Sequence, residues 1–349
     1  MAMTVVKSLN QGLKEAMAFH KDVVLIGEDL LDPYGGAFKV ARGLSTEFPD
    51  QVMTTPISEA GFMGVAIGMA MRGMLPVVEI MFGDFLLLAA DQLINHGAKF
   101  RWMYNDKVDV PLLVRAPMGG RRGYGPTHSQ CLEKHFLGVP GLAVAAVQPI
   151  GAPGELLKRW ILEERRPLLV VESKTMYARQ VREIHDGYLD GFEVQVEGDL
   201  YPTYSLRSDR DVADLTLLAY GSMAELAMEV AEALLIEEEI YVDVIVPTAL
   251  HPFDGGPLLE SLRRSGRLLV CEEASLAAGF GAEMIARVNE EGFQLLRAAP
   301  RRVGAQPIPI GNAPSLEGAI LPSRDDLLEA ARALLGTDVG AEVLRITGS

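Results

Sequence analysis

A single carboxylate, Glu59, stands in the stretch TTPISEAGFMGVAIGMAMRG, Thr54 to Gly73. Every other residue from Thr54 to Met71 is apolar, glycine, serine or threonine. A charge in such a setting is neutralised, paired or employed. Other residues with chemical potential fall at the ends of strand-like runs. Glu28 and Asp29 follow VVLIG, Met81 and Phe85 bracket the end of VVEIMF, and His128 ends the loop APMGGRRGYGPTHSQ after PLLVRAP. In open parallel sheets ligands bind beyond the carboxyl ends of the strands. Four strand ends thus bring carboxylates, an aromatic ring, a flexible loop and a histidine to one rim.

Each residue also has a plain structural explanation. Glu59, beside Ser58, fits the first turn of a helix, where a carboxylate complements the dipole. Glu28 and Asp29 fit a solvated turn, and His128 fits a loop histidine that caps the helix SQCLEKHF. GGRRGYG spaces glycines like a phosphate loop but lacks the Lys-Ser/Thr that would follow. It reads as a mobile loop whose Arg121 and Arg122 face solvent or an anion. GFGAEM lacks the third glycine of a dinucleotide fingerprint, and no P-loop, HExxH or nucleophile elbow occurs. No metal-ligating set is expected in this chain.

The elements that must position these residues alternate between β-rich and helical patterns. Strands are expected at Asp22–Gly27, Leu75–Phe82, Pro111–Pro117, Leu142–Pro149 and Pro167–Ser173, with a further one near QVMTTPI. Helices are expected at Asp84–Tyr104, with Asp84 as cap, and at Pro153–Glu164. Continuous apolar strands alternating with helices imply a parallel sheet covered on both faces. From Tyr177 to Asp214 the periodicity fails, which reads as a linker with one hairpin. A second α/β unit follows, with strands LTLLAYG, IYVDVIVP and RLLVCEE and helices SMAELAMEVAEALLIEEE and GFGAEMIARVNEEG. It ends in LPSRDDLLEAARALLG, a helix capped by Ser323. The expected division is 1–176, a linker 177–214, and 215–349.

The 349 residues carry a formal charge of -15, which argues against nucleic acid. The 35 glycines suggest tight turns and closely packed helices. Two distant cysteines, Cys131 and Cys271, form no disulfide framework, and no window reaches the roughly 20 apolar residues of a membrane span. A cytoplasmic protein is expected.

Taken in order, VVLIGEDL…YGGAFKVARGL, the Thr54–Met103 segment, THSQCLEKHFLGVPGL, LVCEEASLAAGFGAEM and LPS resemble a known family over nearly the whole chain. The family is the beta subunit of the decarboxylating component of 2-oxoacid dehydrogenase complexes (pyruvate, branched-chain and acetoin), within the transketolase-like superfamily. The resemblance implies an α/β fold: a parallel-sheet pyrimidine-binding domain followed by a smaller α/β domain of the transketolase C-terminal type. It implies thiamine diphosphate, with Glu59 hydrogen-bonded to N1′ of the aminopyrimidine so that the 4′-imine accepts the C2 proton. Burial suits such a carboxyl, because it raises the pKa, by up to roughly 3–5 units when complete.

By the same resemblance Ile57, Met81 and Phe85 contact or stack on the aminopyrimidine. His128 lies near the reacting carbons, and Glu28 belongs to the hydrogen-bond network at the rim. Relatives hold the diphosphate through Mg²⁺ at a GDG motif of the alpha subunit, and GDG is missing from this sequence. An α2β2 heterotetramer sharing the cofactor is therefore implied, with a lipoylated acyltransferase core as acyl acceptor. Glu164 and Arg166 replace the Asp and Asn that help relatives bind a structural potassium ion, and a guanidinium disfavours a cation there. Arg121 and Arg122 would suit an anionic or larger substrate, and Phe85 leans towards pyruvate-like relatives. Two alternatives stay open: a non-oxidative acyloin-forming or transketolase-like enzyme subunit, and a non-catalytic binding subunit.

Overall fold

The computed structural model describes residues 3–208 and 210–336. The apolar runs form β1 (Val23–Gly27), β2 (Val52–Thr54), β3 (Leu75–Glu79), β4 (Leu113–Met118), β5 (Ala143–Ala146) and β6 (Leu168–Ser173). These six strands lie in the order β5-β6-β4-β3-β1-β2, all parallel. Helices Val5–Phe19 and Pro153–Glu163 cover one face, packing on Val23, Leu25, Val77 and Leu113. Helix Glu59–Met71 covers the other, against Ile26, Val78 and Val114. Alternate residues of each strand thus bury on opposite faces, so the strands read as continuous apolar runs. The first two helices meet at glycines: a Cβ on Gly12 would lie 2.1 Å from the Gly154 carbonyl oxygen.

The second half forms β7 (Tyr188–Leu189), β8 (Phe192–Glu197), β9 (Thr203–Arg207), β10 (Leu215–Ala219), β11 (Val242–Pro247), β12 (Ala249–His251), β13 (Leu268–Ser275) and β14 (Arg301–Ala305). All but β12 make a second sheet, ordered β14-β13-β10-β11-β9-β8-β7. The expected linker is therefore different in kind: residues 177–214 supply three strands, paired antiparallel at the edge of this sheet. Its pattern is faint because the outer strand β8 alternates only weakly, with Phe192 and Val194 buried and Glu193 and Val196 exposed. β12 crosses back and pairs antiparallel with β5 of the first sheet. A continuous apolar core spans the seam, from Val114 and Phe136 to Leu218, Ile245 and Phe280.

One expected helix is broken. Residues 84–104 make a tight 3₁₀ turn at Gly83–Leu88, a wide π-type turn at Gln92–Gly97 and a short α-helix at Ala98–Met103. Asp84 does not cap it; its carboxylate accepts from Gln130, from the backbone N–H at 3.3 Å and the side-chain amide at 2.8 Å. Ser323 does cap helix Arg324–Leu335, in a reciprocal box with Asp326. Among the described residues no helix is long and apolar enough to cross a membrane.

Candidate active site

The strand registers decide which residues meet. Gly27 pairs with Thr54 and with Glu79, so β1, β2 and β3 end level, while β4, whose Arg115 pairs with Glu79, runs three residues further. Glu28 leaves β1 at this rim, and Glu59 enters from the β2 side as the first residue of helix Glu59–Met71. Both are buried, at 7% and 6% exposure. Neither side chain makes a hydrogen bond among the described residues, and Glu28 Oε1 is fully enclosed without a partner. Burial raises the Glu28 pKa, and the negative charges of Glu59 and Asp29 raise it further. The Glu28 carboxyl is thus the one that its surroundings push towards holding a proton. Ser58 forms no side-chain cap on this helix.

His128 sits in an aromatic nest on the same rim. Its ring meets Phe82 edge-on at 4.9 Å and Phe85 at 5.2 Å. Phe82 also touches Phe38 at 5.4 Å and Tyr124 at 5.5 Å. Thr127 Oγ1 lies 3.0 Å from His128 Nδ1, which leaves Nε2 for another partner. The helix SQCLEKHF, which His128 was one candidate to cap, shrinks to a single 3₁₀ turn at Glu133–His135. Met81 and Phe85 are half-buried. Ile57 is 85% exposed on the loop before Glu59, an apolar side chain presented outward at the pocket's edge.

Below the rim lies an ion cluster that the sequence did not reveal. Arg115, 1% exposed, donates to Glu79 at 2.5 Å and bidentately to Glu172 at 2.7 Å, and Tyr177 donates its hydroxyl to Glu172. Three neighbouring strands, β3, β4 and β6, are thereby locked in register beneath the site. Burial pushes the Glu79 pKa up, against the pull of the Arg115 charge.

The loop leading to His128 is docked on the second unit. Gly120 N–H donates to Glu273 Oε1 at 2.7 Å, and the Arg122 and Gly123 N–H groups both donate to Glu317 Oε1 at 3.1 Å. The Arg121 guanidinium donates to the Pro322 carbonyl, while Arg121 and Arg122 remain exposed. Gly119 and Gly123 adopt positive φ of 94° and 69°, a conformation that glycine accepts without strain. The glycines thus serve a path along the second unit rather than a phosphate cradle.

Comparison with known proteins agrees with this architecture. Residues 1–180 match the model of the transketolase pyrimidine binding domain, and residues 205–327 that of the transketolase C-terminal domain. The chain is 34% identical over 331 residues to a mitochondrial pyruvate dehydrogenase E1 component subunit beta-2 of Oryza sativa subsp. japonica, covering 95% of this chain and 85% of the relative. It is 35% identical over 344 residues to the acetoin:2,6-dichlorophenolindophenol oxidoreductase subunit beta of Bacillus subtilis, covering 94% and 96%. The chain belongs to the E1 beta-subunit family of pyruvate and acetoin dehydrogenases. Among solved structures, a split-gene transketolase, described as an inactive beta4 tetramer, superposes with a TM-score of 0.71 at 21% identity, over 96% of this chain and 99% of that one. That likeness shows the fold.

For this beta-subunit chain, the site residues named from sequence fall into two groups. Glu28 and Glu59 share one pocket, and Phe85 and His128 share the aromatic nest; no hydrogen bond or ring contact joins the two groups among the described residues. Phe82, Tyr124, Phe38, Asp84 and Lys174 escaped the sequence reading. Phe82 and Asp84 carried a signal, since both flank Phe85 at a strand end. Lys174 carried none beyond its place directly after β6.

Proposed function

We propose that this chain is the beta subunit of a thiamine diphosphate-dependent 2-oxoacid dehydrogenase. Its reaction is decarboxylation of a 2-oxoacid such as pyruvate and reductive transfer of the acyl group to lipoamide. The supporting observation is the pair Glu28 and Glu59, both buried and close enough for their charges to interact, with no side-chain hydrogen bond for either among the described residues and with Glu28 Oε1 enclosed without a partner. An aminopyrimidine ring offers the polar nitrogens that such orphaned groups need, so the pocket fits the cofactor. Thiamine diphosphate, held at this pocket, would supply a carbon nucleophile for the 2-oxo carbon and a sink for the electron pair released with CO₂.

The chain's own residues then have distinct tasks. Glu59 holds a proton at the pyrimidine N1′, and Glu28 beside it keeps the pocket's charge low. Ile57, Met81 and Phe85 flank the ring and exclude water. His128, held edge-on by Phe82 and Phe85, accepts or returns a proton near the reacting carbons. The Mg²⁺ and diphosphate anchor is assigned to an alpha subunit in an α2β2 heterotetramer. Helix Glu59–Met71 supports a partner there: its apolar Val65 is exposed beside exposed Gly61 and Gly68, although the helix starts inside the site. We assign the acyl acceptor to a lipoylated acyltransferase core and the compartment to the cytoplasm. The curated relatives' names describe dehydrogenase and oxidoreductase subunits, which favours this reaction over the non-oxidative alternative.

No structural potassium is assigned. Glu164 accepts from Arg166 at 2.9 Å and from the Tyr201 hydroxyl at 2.5 Å. Burial opposes its charge, but these hydrogen bonds prevail and bring its pKa down to about 2. Arg166 thus neutralises this carboxylate from within the chain.

Calorimetry of Mg²⁺-dependent thiamine diphosphate binding tests the reading. The expected result is no binding to the chain alone and tight binding once the alpha subunit is added. Tight binding to the chain alone would sink the shared-site reading and favour a self-sufficient enzyme.

A further inference from the structure

Lys174, directly after β6, has no exposed surface. A buried ammonium is costly to keep unless a carboxylate or several hydrogen bonds compensate it. Here the only hydrogen bond made by its side chain, among the described residues, is to the main-chain carbonyl of His128. The ammonium also lies 5.1 Å from the Phe82 centroid and 5.6 Å from that of Tyr124. Such contacts favour a desolvated cation. The Lys174 backbone N–H, meanwhile, is fixed to the Met118 carbonyl at the end of β4, at 3.0 Å.

The side chain therefore runs from the rigid sheet to the far end of the glycine-rich loop. It touches Tyr124 in mid-loop, the His128 carbonyl at the loop's end, and Phe82, the ring against which the His128 imidazole rests. We propose that Lys174 is the positioning residue for His128, anchoring the loop from beneath while Glu273 and Glu317 hold its other side. Burial lowers the Lys174 pKa; the more distant charges of Asp84, Cys131 and Glu273 work against that shift, and Arg122 adds to it. A lysine placed only to fill space would gain from apolar replacement. This one donates to a loop carbonyl, which an apolar side chain could not do.

The assignment rests on the role proposed above for His128, and the test separates the two. Hydrogen–deuterium exchange across residues 119–130 is measured on the chain alone for wild type, Lys174→Met and Lys174→Arg. Steady-state turnover is measured for the same variants in complex with the alpha subunit. For Lys174→Met we expect about tenfold faster exchange in this segment and little change elsewhere. Turnover should fall about 30- to 100-fold, as a displacement of about 1 Å at a catalytic group produces. KM for the 2-oxoacid and the affinity for thiamine diphosphate should move less than about threefold, since the Glu59 pocket is a separate wall. Lys174→Arg, which can donate to the same carbonyl, should recover part of the protection and of the rate.

Unchanged exchange across 119–130 in a folded Lys174→Met variant overturns the assignment. So does lost turnover without faster exchange, because Lys174 would then act on the reacting atoms directly. A parallel His128→Ala variant that keeps full activity would refute the proposed role of His128. The exchange measurement would still decide whether Lys174 holds the loop.

Discussion

Two pairs of buried glutamates, one in each unit, are treated in opposite ways. Glu28 and Glu59, at the rim of the first sheet, make no side-chain hydrogen bonds among the described residues. Glu273 and Glu317, in the second unit, are equally buried, and each accepts two: Glu273 from Gly120 N–H and Ser222 Oγ, Glu317 from two loop N–H groups. An unsatisfied buried carboxyl costs free energy that a ligand can recover, whereas a satisfied one holds structure in place. On the proposed function the first pair would meet a ligand, while the second holds the loop that carries His128.

The largest effect should come from the open pair. Glu59→Gln keeps shape and burial but cannot exchange a proton, so turnover of the assembled enzyme should fall about 10³- to 10⁴-fold, the upper range for general acid–base groups. Circular dichroism and melting temperature should stay near wild type. Substantial residual turnover would assign the chemistry elsewhere and leave a binding subunit as the better description.

Next in size is the cluster beneath the rim. Arg115→Met strands Glu79 and Glu172 as buried, uncompensated carboxylates, and urea denaturation should show a loss of about 3–5 kcal/mol. A loss below about 1 kcal/mol would mean that water reaches the cluster.

Glu272 offers a pH test of the seam. It is fully buried, its Oε1 accepts from Gly281 N–H at 3.1 Å, and its Oε2 has no partner. Burial first, and then the Glu133 charge, raise its pKa from 4.5 to about 7. Because the folded value lies above the unfolded one, the native state binds the extra proton between these two pH values. Stability from this group is fully present below about pH 4.5 and is lost as pH rises through about 7. Glu272→Gln should remove that slope and stabilise the chain at pH 8 by up to about 3 kcal/mol. Denaturation midpoints of both proteins across pH 5–8 check it, and parallel profiles would contradict the assignment.

The smallest effect belongs to the satisfied pair. Glu317→Ala should cost about 1–2 kcal/mol and slow turnover about tenfold by loosening the Arg122–Gly123 segment. A change in cofactor affinity instead would blur the division between the two pairs.

Local pattern alone made much of this legible. The parallel strands of the first sheet were readable because burial on both faces makes each an unbroken apolar run, and the Ser323 box because capping is a three-residue event. Glu59 was conspicuous as the one charge in an apolar segment. The helix expected at 84–104 was misread because Asp84 answers to Gln130, forty-six positions away, and a long-range hydrogen bond leaves no periodic trace. Residues 177–214, expected as a linker with one hairpin, supply three strands, because β7 is only two residues long and β8 loses its alternation after Val194.

What the sequence determined by itself was therefore the apolar strands of the first sheet, the Ser323 cap and the succession of two α/β units. Those follow from burial and backbone geometry acting over a few residues. Only the tertiary structure decided which polar groups are satisfied and which are left open. It paired Arg115 with Glu79 and Glu172, set Lys174 under His128, sent β12 back to the first sheet and gave the loop to Glu273 and Glu317. Hydrogen bonds between residues far apart in the chain depend on how elements pack, and that geometry is written in no single stretch.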